Sequence, residues 1–206
     1  MSCGLEAVSL IKPADVQESV CILSQAFLRD PLMEYIFPDE SQRLKRLAAF
    51  FGANLDFGIA AGEVYGTSPL LGCAIWIFPG DRNRARVTRA MVPIEHFRLD
   101  FSDQEFKRYA NFELYMKEVH VELHFPSYCL LLFLGVDEEH RCKGIGSRLM
   151  QPILKYADEK KLPCVLDTMN EENLAFYREK GFSVFSEYYV CGDGPWTWTM
   201  VRYPDR

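Results

Sequence analysis

The sequence predicts one domain of mixed α/β class, in which strands and helices share a single core. Three observations carry the prediction. From Tyr128 onward, short apolar runs alternate with segments of helical period. Before that point two helical segments give way, at about Glu63, to extended apolar runs joined by turn residues. The chain has 206 residues, 49% of them apolar, with no internal repeat, low-complexity tract or linker. That is enough chain for one well-buried core and little for two.

Each element follows from its own pattern. Val8 to Ile11 reads as a short first strand, and Pro13 suits the entrance of a helix from Pro13 or Asp15 to about Phe27. A second helix is predicted over Gln42 to Ile59, with Leu44, Leu47, Ala48, Phe51 and Leu55 on one side. Glu63 to Thr67 and Leu70 to Phe78 form an antiparallel pair turning at Ser68-Pro69, and the second run is apolar enough for a strand covered on both faces. Arg82 to Lys117 reads as charged helix anchored by Phe97, Phe101, Phe106 and Tyr109. Tyr128 to Val136 is a strand, followed by a polar loop and a helix over Ser147 to Lys161, in which Pro152 should introduce a kink. The remaining order is strand Cys164 to Thr168, helix Glu171 to Lys180, strand Phe182 to Val190 and strand Trp196 to Arg202. Gly181 fits a helix C-terminus, and Gly192-Asp193-Gly194-Pro195 is the last turn. Trp196 and Trp198, alternating with Thr197 and Thr199, are expected to form one packed face.

Composition removes several classes of function. A net charge of −6 argues against a protein that grips nucleic-acid phosphates through a basic face, and is compatible with a cationic substrate. The seven cysteines are odd in number and dispersed, mostly within apolar runs, as free thiols in a reducing compartment would be. No cysteine or histidine spacing suits a structural zinc, and no metal is expected. The N-terminus lacks a charged flank and an apolar core of signal type, and no apolar run reaches membrane-spanning length. A soluble cytoplasmic protein without a membrane partner is the expectation.

Chemistry concentrates after Val136. The loop Asp137-Glu138-Glu139-His140-Arg141-Cys142-Lys143-Gly144-Ile145-Gly146-Ser147 opens an amphipathic helix, whose unpartnered amides and dipole favour a phosphate or pyrophosphate. Glycines let the chain approach the oxygens closely. A nucleotide-hydrolase P-loop is excluded, because Ile145 follows Gly144 where Lys is required. The dinucleotide fingerprint fits poorly: seven residues separate Val136 from Gly144, and Leu149 occupies the third-glycine position, although Asp167 imitates the ribose-binding acid.

Arg141-x-x-Gly144-x-Gly146 after such a strand, with Asn173-Leu174-Ala175-Phe176-Tyr177-Arg178-Glu179-Lys180-Gly181-Phe182 following, resembles the GNAT superfamily of N-acetyltransferases. Ala26-Phe27 with Asp30-Pro31, and Cys73-Ala74-Ile75-Trp76 with Pro79, resemble the small-molecule branch that includes puromycin N-acetyltransferase. The resemblance implies a mostly antiparallel sheet of about seven strands flanked by helices, a single domain over residues 1–206, and acetyl-CoA as acyl donor. It implies a cofactor site made by Leu134, Gly135, Val136, Arg141, Cys142, Lys143, Gly144, Ile145, Gly146, Ser147, Asn173 and Tyr177. The strand would splay from its neighbour near Gly135, where the glycine marks a bulge or a close backbone approach. Its freed backbone would then pair with the pantetheine arm and polarise the thioester.

Asn173 and Tyr177 lie four apart on one helix face, and Tyr177 would protonate the departing thiolate. The base would come from Glu118, His120, Glu122 or His124, with Glu122 and His124 carried forward beside Tyr177 as the catalytic set. Trp76 either lines the acceptor pocket or packs in the core. The reading is direct acetyl transfer to a primary amine of a small molecule, by a monomer or homodimer. Two alternatives stand: acetylation of a protein N-terminus or lysine, and CoA sensing without turnover.

Overall fold

The computed structural model describes residues 7–78, 101–190 and 194–205. Its element order is β1 (Ser9–Leu10), α1 (Val16–Ala26), α2 (Pro31–Ile36), α3 (Glu40–Ala61), β2 (Gly62–Gly66), β3 (Gly72–Ile77), α4 (Asp103–Glu122), β4 (Cys129–Val136), α5 (Ile145–Lys160), β5 (Cys164–Thr168), α6 (Asn173–Arg178), β6 (Ser183–Tyr189) and β7 (Trp196–Arg202). The strands make one seven-stranded sheet in the order β1-β2-β3-β4-β5-β7-β6. Every pairing is antiparallel except β4 with β5.

Side-chain alternation divides the core into two layers. Cys73, Ile75 and Ile77 of β3 enter the layer beneath α1 to α4, and Ala74, Trp76 and Phe78 enter the layer beneath α5 and α6. Trp76 is fully enclosed there, so it belongs to the core and not to a pocket wall. On the other side, Phe27, Phe50, Phe51 and Phe133 pack edge-on or tilted at centroid distances of 5.1–5.6 Å. Each such ring taken from water contributes on the order of 1.5–3 kcal/mol, which fixes α1 and α3 against β4.

The bulge in the sheet lies elsewhere than Gly135. Ile75 faces Phe133 and Trp76 faces Leu131, which leaves Leu132 as the extra residue and sends Leu132 and Phe133 into the same layer. Gly135 is instead a close approach: a Cβ there would stand 2.8 Å from Leu23 Cδ2 and 3.1 Å from Ala26 Cβ, so helix α1 requires the glycine. The expected splay is present and begins earlier. β4 pairs with β5 only over Cys129–Leu131, and beyond it Asp167 and Thr168 pair with β7 alone.

Other departures have local causes. Helix α3 buries Arg43, Leu47, Phe50, Phe51, Asn54 and Leu55, a face rotated from the predicted one, and leaves Leu44 and Ala48 exposed. The predicted helix over Arg82 to Lys117 corresponds to α4, which starts at a capping box of Ser102 and Glu105 and runs on to Glu122. Its predicted first part, with Phe97, lies outside the described residues, as do Pro79, Cys3, Cys191, Gly192 and Asp193. Helix α5 continues through Pro152. In β7 the threonines are the buried set and Trp196 is 42% exposed, stacked at 4.0 Å on Tyr189. Among the described residues no helix is long and apolar enough to cross a membrane, and no group of side chains is placed to hold a metal ion.

Candidate active site

Splaying of β4 from β5 opens a cleft of about 870 Å³. Its walls are the end of α1, the Leu134-Gly135-Val136 edge, the loop into α5, and the Asn173–Tyr177 face of α6. The loop is built for an anion. Asp137 accepts from the Glu139 amide at 3.1 Å and holds His140 Nδ1 at 2.8 Å, and Arg141 donates to the Ala26 carbonyl at 3.2 Å, tying the loop to α1. Cys142 (φ 59°) and Gly144 (φ 80°) then turn the chain through left-handed conformations into α5. No side chain caps that helix, so its first amides and its dipole face the cleft. These features fit a pyrophosphate-bearing ligand.

The cleft gathers nearly all the residues expected to hold the cofactor: Leu134, Gly135, Val136, Arg141, Cys142, Gly144, Ile145, Gly146, Ser147, Asn173 and Tyr177. Lys143 is the exception. It is exposed, and its ammonium donates to the Glu139 carbonyl at 2.9 Å, bracing the loop from outside.

Beyond the cleft lies a narrower cavity of about 100 Å³, walled by Phe50, Phe112, Met116 and Phe133 among others. Cleft and cavity meet at Phe27, Asp30, Leu134, Asn173 and Tyr177. Tyr177 is buried, and burial, with the nearby Asp30 carboxylate second, raises its phenol well above the usual tyrosine range. The phenol therefore keeps its proton at any working pH.

Asp30 is the site residue that motif reasoning passed over. It caps α2, with Oδ1 accepting from the Leu32 amide at 3.0 Å and the Met33 amide at 3.4 Å. Buried Arg43 ties together the segments flanking α2, donating to the carbonyls of Phe37 (2.8 Å), Leu28 (3.3 Å) and Pro38 (3.3 Å) and to the Glu34 carboxylate (3.2 Å). Burial outweighs the two amide bonds and pushes the Asp30 carboxyl up to about 6. The signal in the sequence was Asp30-Pro31 itself, a capping acid followed by proline in the first helical turn.

The four expected bases separate cleanly. Glu118, Glu122 and His124 are exposed and line neither cleft nor cavity, because α4 turns that face to solvent and ends at Glu122. His120 points inward, with Nε2 2.9 Å from Asp167 Oδ2 and Nδ1 3.3 Å from the Tyr128 hydroxyl. Asp167 also accepts from the Thr199 hydroxyl at 2.6 Å, so its role is to anchor this network.

Two turns before His120, Glu113 faces the cavity at 4% exposure. Tyr109 hydrogen-bonds its carboxyl, while Oε1 has no partner. Burial, the dominant cause, lifts this carboxyl to about 8. Between its unfolded value and 8 the folded chain holds a proton that the unfolded chain releases, so the native state loses stability as pH rises through that window. Glu113→Gln should therefore raise Tm by several degrees at pH 9 and by much less at pH 5, as thermal unfolding at the two pH values will show.

Residues 28–182 match the model of the acetyltransferase (GNAT) family. An uncharacterised N-acetyltransferase of Schizosaccharomyces pombe is 23% identical over 194 residues, covering 91% of this chain and 78% of that one. Among solved structures, a Corynebacterium glutamicum protein described as histone acetyltransferase HPA2 and related acetyltransferase superposes with a TM-score of 0.67 at 19% identity, covering 98% of both chains. The polyamine N-acetyltransferase of Drosophila melanogaster does so with a TM-score of 0.60 at 12% identity, covering 96% of this chain and 99% of that one. With the glycine-bearing loop, the splayed strands and the family match all falling within residues 28–182, the chain belongs to the GNAT family of acetyltransferases.

Proposed function

We propose that the protein transfers an acetyl group from acetyl-CoA to a primary amine of a small molecule, by direct attack in a ternary complex. One observation carries the reading: the donor cleft opens, at Asp30 and Tyr177, onto a cavity that is narrow and largely apolar among the described residues. A protein N-terminus or lysine would need its flanking chain accommodated, and this cavity suits a compact acceptor. Small-amine acetyltransferases such as the Drosophila polyamine enzyme share the fold, which supports the same reading.

Acetyl-CoA supplies the thioester as substrate. Main-chain amides at Ile145 to Ser147 and the Arg141 to Gly144 turn would hold its pyrophosphate, and the freed edge at Leu134 to Val136 would align its arm. Asp30, as carboxylate, takes the proton that leaves the acceptor's ammonium. The neutral nitrogen bonds to the acetyl carbon as the carbon–sulfur bond breaks, Tyr177 gives its proton to the departing sulfur, and the nitrogen's second proton returns to the Tyr177 oxygen and restores the phenol. The product is an acetamide and free thiol.

A thiol-release screen with acetyl-CoA tests this against short amines, arylalkylamines and basic peptides. Release with the small amines is the expected outcome, and release with peptides alone would overturn the reading. Gly144→Val isolates the donor half of the site. A β-branched residue at φ 80° strains the turn by about 1–3 kcal/mol. The KM for acetyl-CoA should rise by about tenfold or more, with a smaller change in kcat, in steady-state kinetics.

A further inference from the structure

Three carboxylates line the cavity, Asp30, Asp167 and Glu113; Asp167 is engaged by His120 and the Thr199 hydroxyl, and acetyl transfer needs only Asp30. Asp30 stands at the junction with the donor cleft, where the reacting amine must lie. Glu113 lines the cavity from α4 and does not reach that junction. Its neighbours do not account for it. Tyr109, one turn earlier, bonds the carboxyl, yet Oε1 remains buried without a partner. The rest of its helix face toward the cavity is Phe112, Met116 and His120, and His120 is already engaged with Asp167 and Tyr128. Were the cavity meant for an apolar tail, a leucine or methionine at position 113 would serve without desolvating a carboxyl. A group held at such a cost to the free protein finds its complement in the ligand.

We propose, resting on the small-amine reading above, that Glu113 receives a second, positively charged nitrogen of the acceptor. The substrate class is then a compact diamine: a primary amine presented between Asp30 and Tyr177, a short apolar spacer against Phe50 and Phe133, and an ammonium or guanidinium at Glu113. Tyr109 and Phe112 place aromatic rings beside that charge, an arrangement that favours cations over neutral polar groups. Glu113 would act here as a specificity residue, outside the proton transfers.

The charged groups around Glu113 are Lys117 and His120 on its own helix and Asp167 on β5, with Tyr109 as hydrogen-bond partner. Since burial keeps Glu113 largely protonated at neutral pH, a cation arriving there must displace its proton. The KM for a diamine should fall as pH rises toward 8, beyond any fall shown by a monoamine.

The test compares, on the whole protein, straight-chain α,ω-diamines with alkylamines and amino alcohols of the same length. The expected result is a kcat/KM about tenfold to a hundredfold higher for the diamines, shrinking toward equality in Glu113→Gln. Thermal unfolding confirms that the variant is folded, and the wild-type ratios decide the matter even without it. Amino alcohols matching diamines, monoamines matching diamines, or an undiminished ratio in Glu113→Gln would each overturn the assignment while leaving small-amine acetylation standing. No release with any small amine would remove both.

Discussion

Asp30→Asn is expected to lower kcat/KM by about a hundredfold or more and to remove the acid limb of the pH profile. An amine that reaches the site as ammonium cannot attack until it loses a proton, and Asp30 is the carboxylate where the cleft meets the cavity proposed to hold the acceptor. With burial pushing its pKa to about 6, it is ionised at neutral pH yet basic enough to accept that proton. Below pH 6 it protonates, so wild-type activity should fall there. The asparagine keeps a side-chain oxygen for the Leu32 and Met33 amides, so α2 stays capped and the loss reports proton transfer, not folding. A variant with an unchanged limb near pH 6 would move the base elsewhere, with His120 next in line because it lines the cavity.

The walls of the cleft were legible from residue order because the proposed donor half is made by backbone. A loop of the form Arg141-x-x-Gly144-x-Gly146 specifies a left-handed turn and an uncapped helix start, and both depend on local sequence alone. Strands β5 and β7 matched their predicted bounds, since each is an apolar run closed by turn residues. What sequence did not show were features set by distant packing. Gly135 reads equally as a bulge or a contact until helix α1 is laid across it. The inward face of β7 is chosen by Asp167 and Tyr188, which bond the Thr199 hydroxyl, so Trp196 is left outside against the usual preference of tryptophan for burial. The cavity proposed for the acceptor is lined from α2 and α4, elements far apart in the chain, and Glu113 and His120 gain meaning only when β4 and β5 stand opposite them. Alternating acids and histidines after Lys117 carry no mark of which residue faces inward, because the face depends on where α4 begins. The capping box at Ser102 and Glu105 was the available signal for that start.

Tyr177→Phe should lower kcat by about a hundredfold while leaving the KM for acetyl-CoA nearly unchanged. The ring is buried against Phe176 and Phe182 at centroid distances of 5.1 and 6.1 Å, and phenylalanine preserves that packing. The substitution therefore removes one O–H and little else. That hydroxyl matters only as charge develops on the departing sulfur, so its loss belongs in kcat and not in donor binding. Burial and the Asp30 carboxylate hold the phenol protonated, as the proposed proton donation requires. The same coupling makes a further demand on the double variant. Neutralising Asp30 eases the phenol's ionisation and softens the loss in Asp30→Asn as long as Tyr177 is present, so Asp30→Asn with Tyr177→Phe should cost more than the two single losses combined, as a double-mutant cycle on kcat/KM will measure. Strictly additive losses would mean that the two groups act without sensing each other, against the proximity that raises the Tyr177 phenol in the first place.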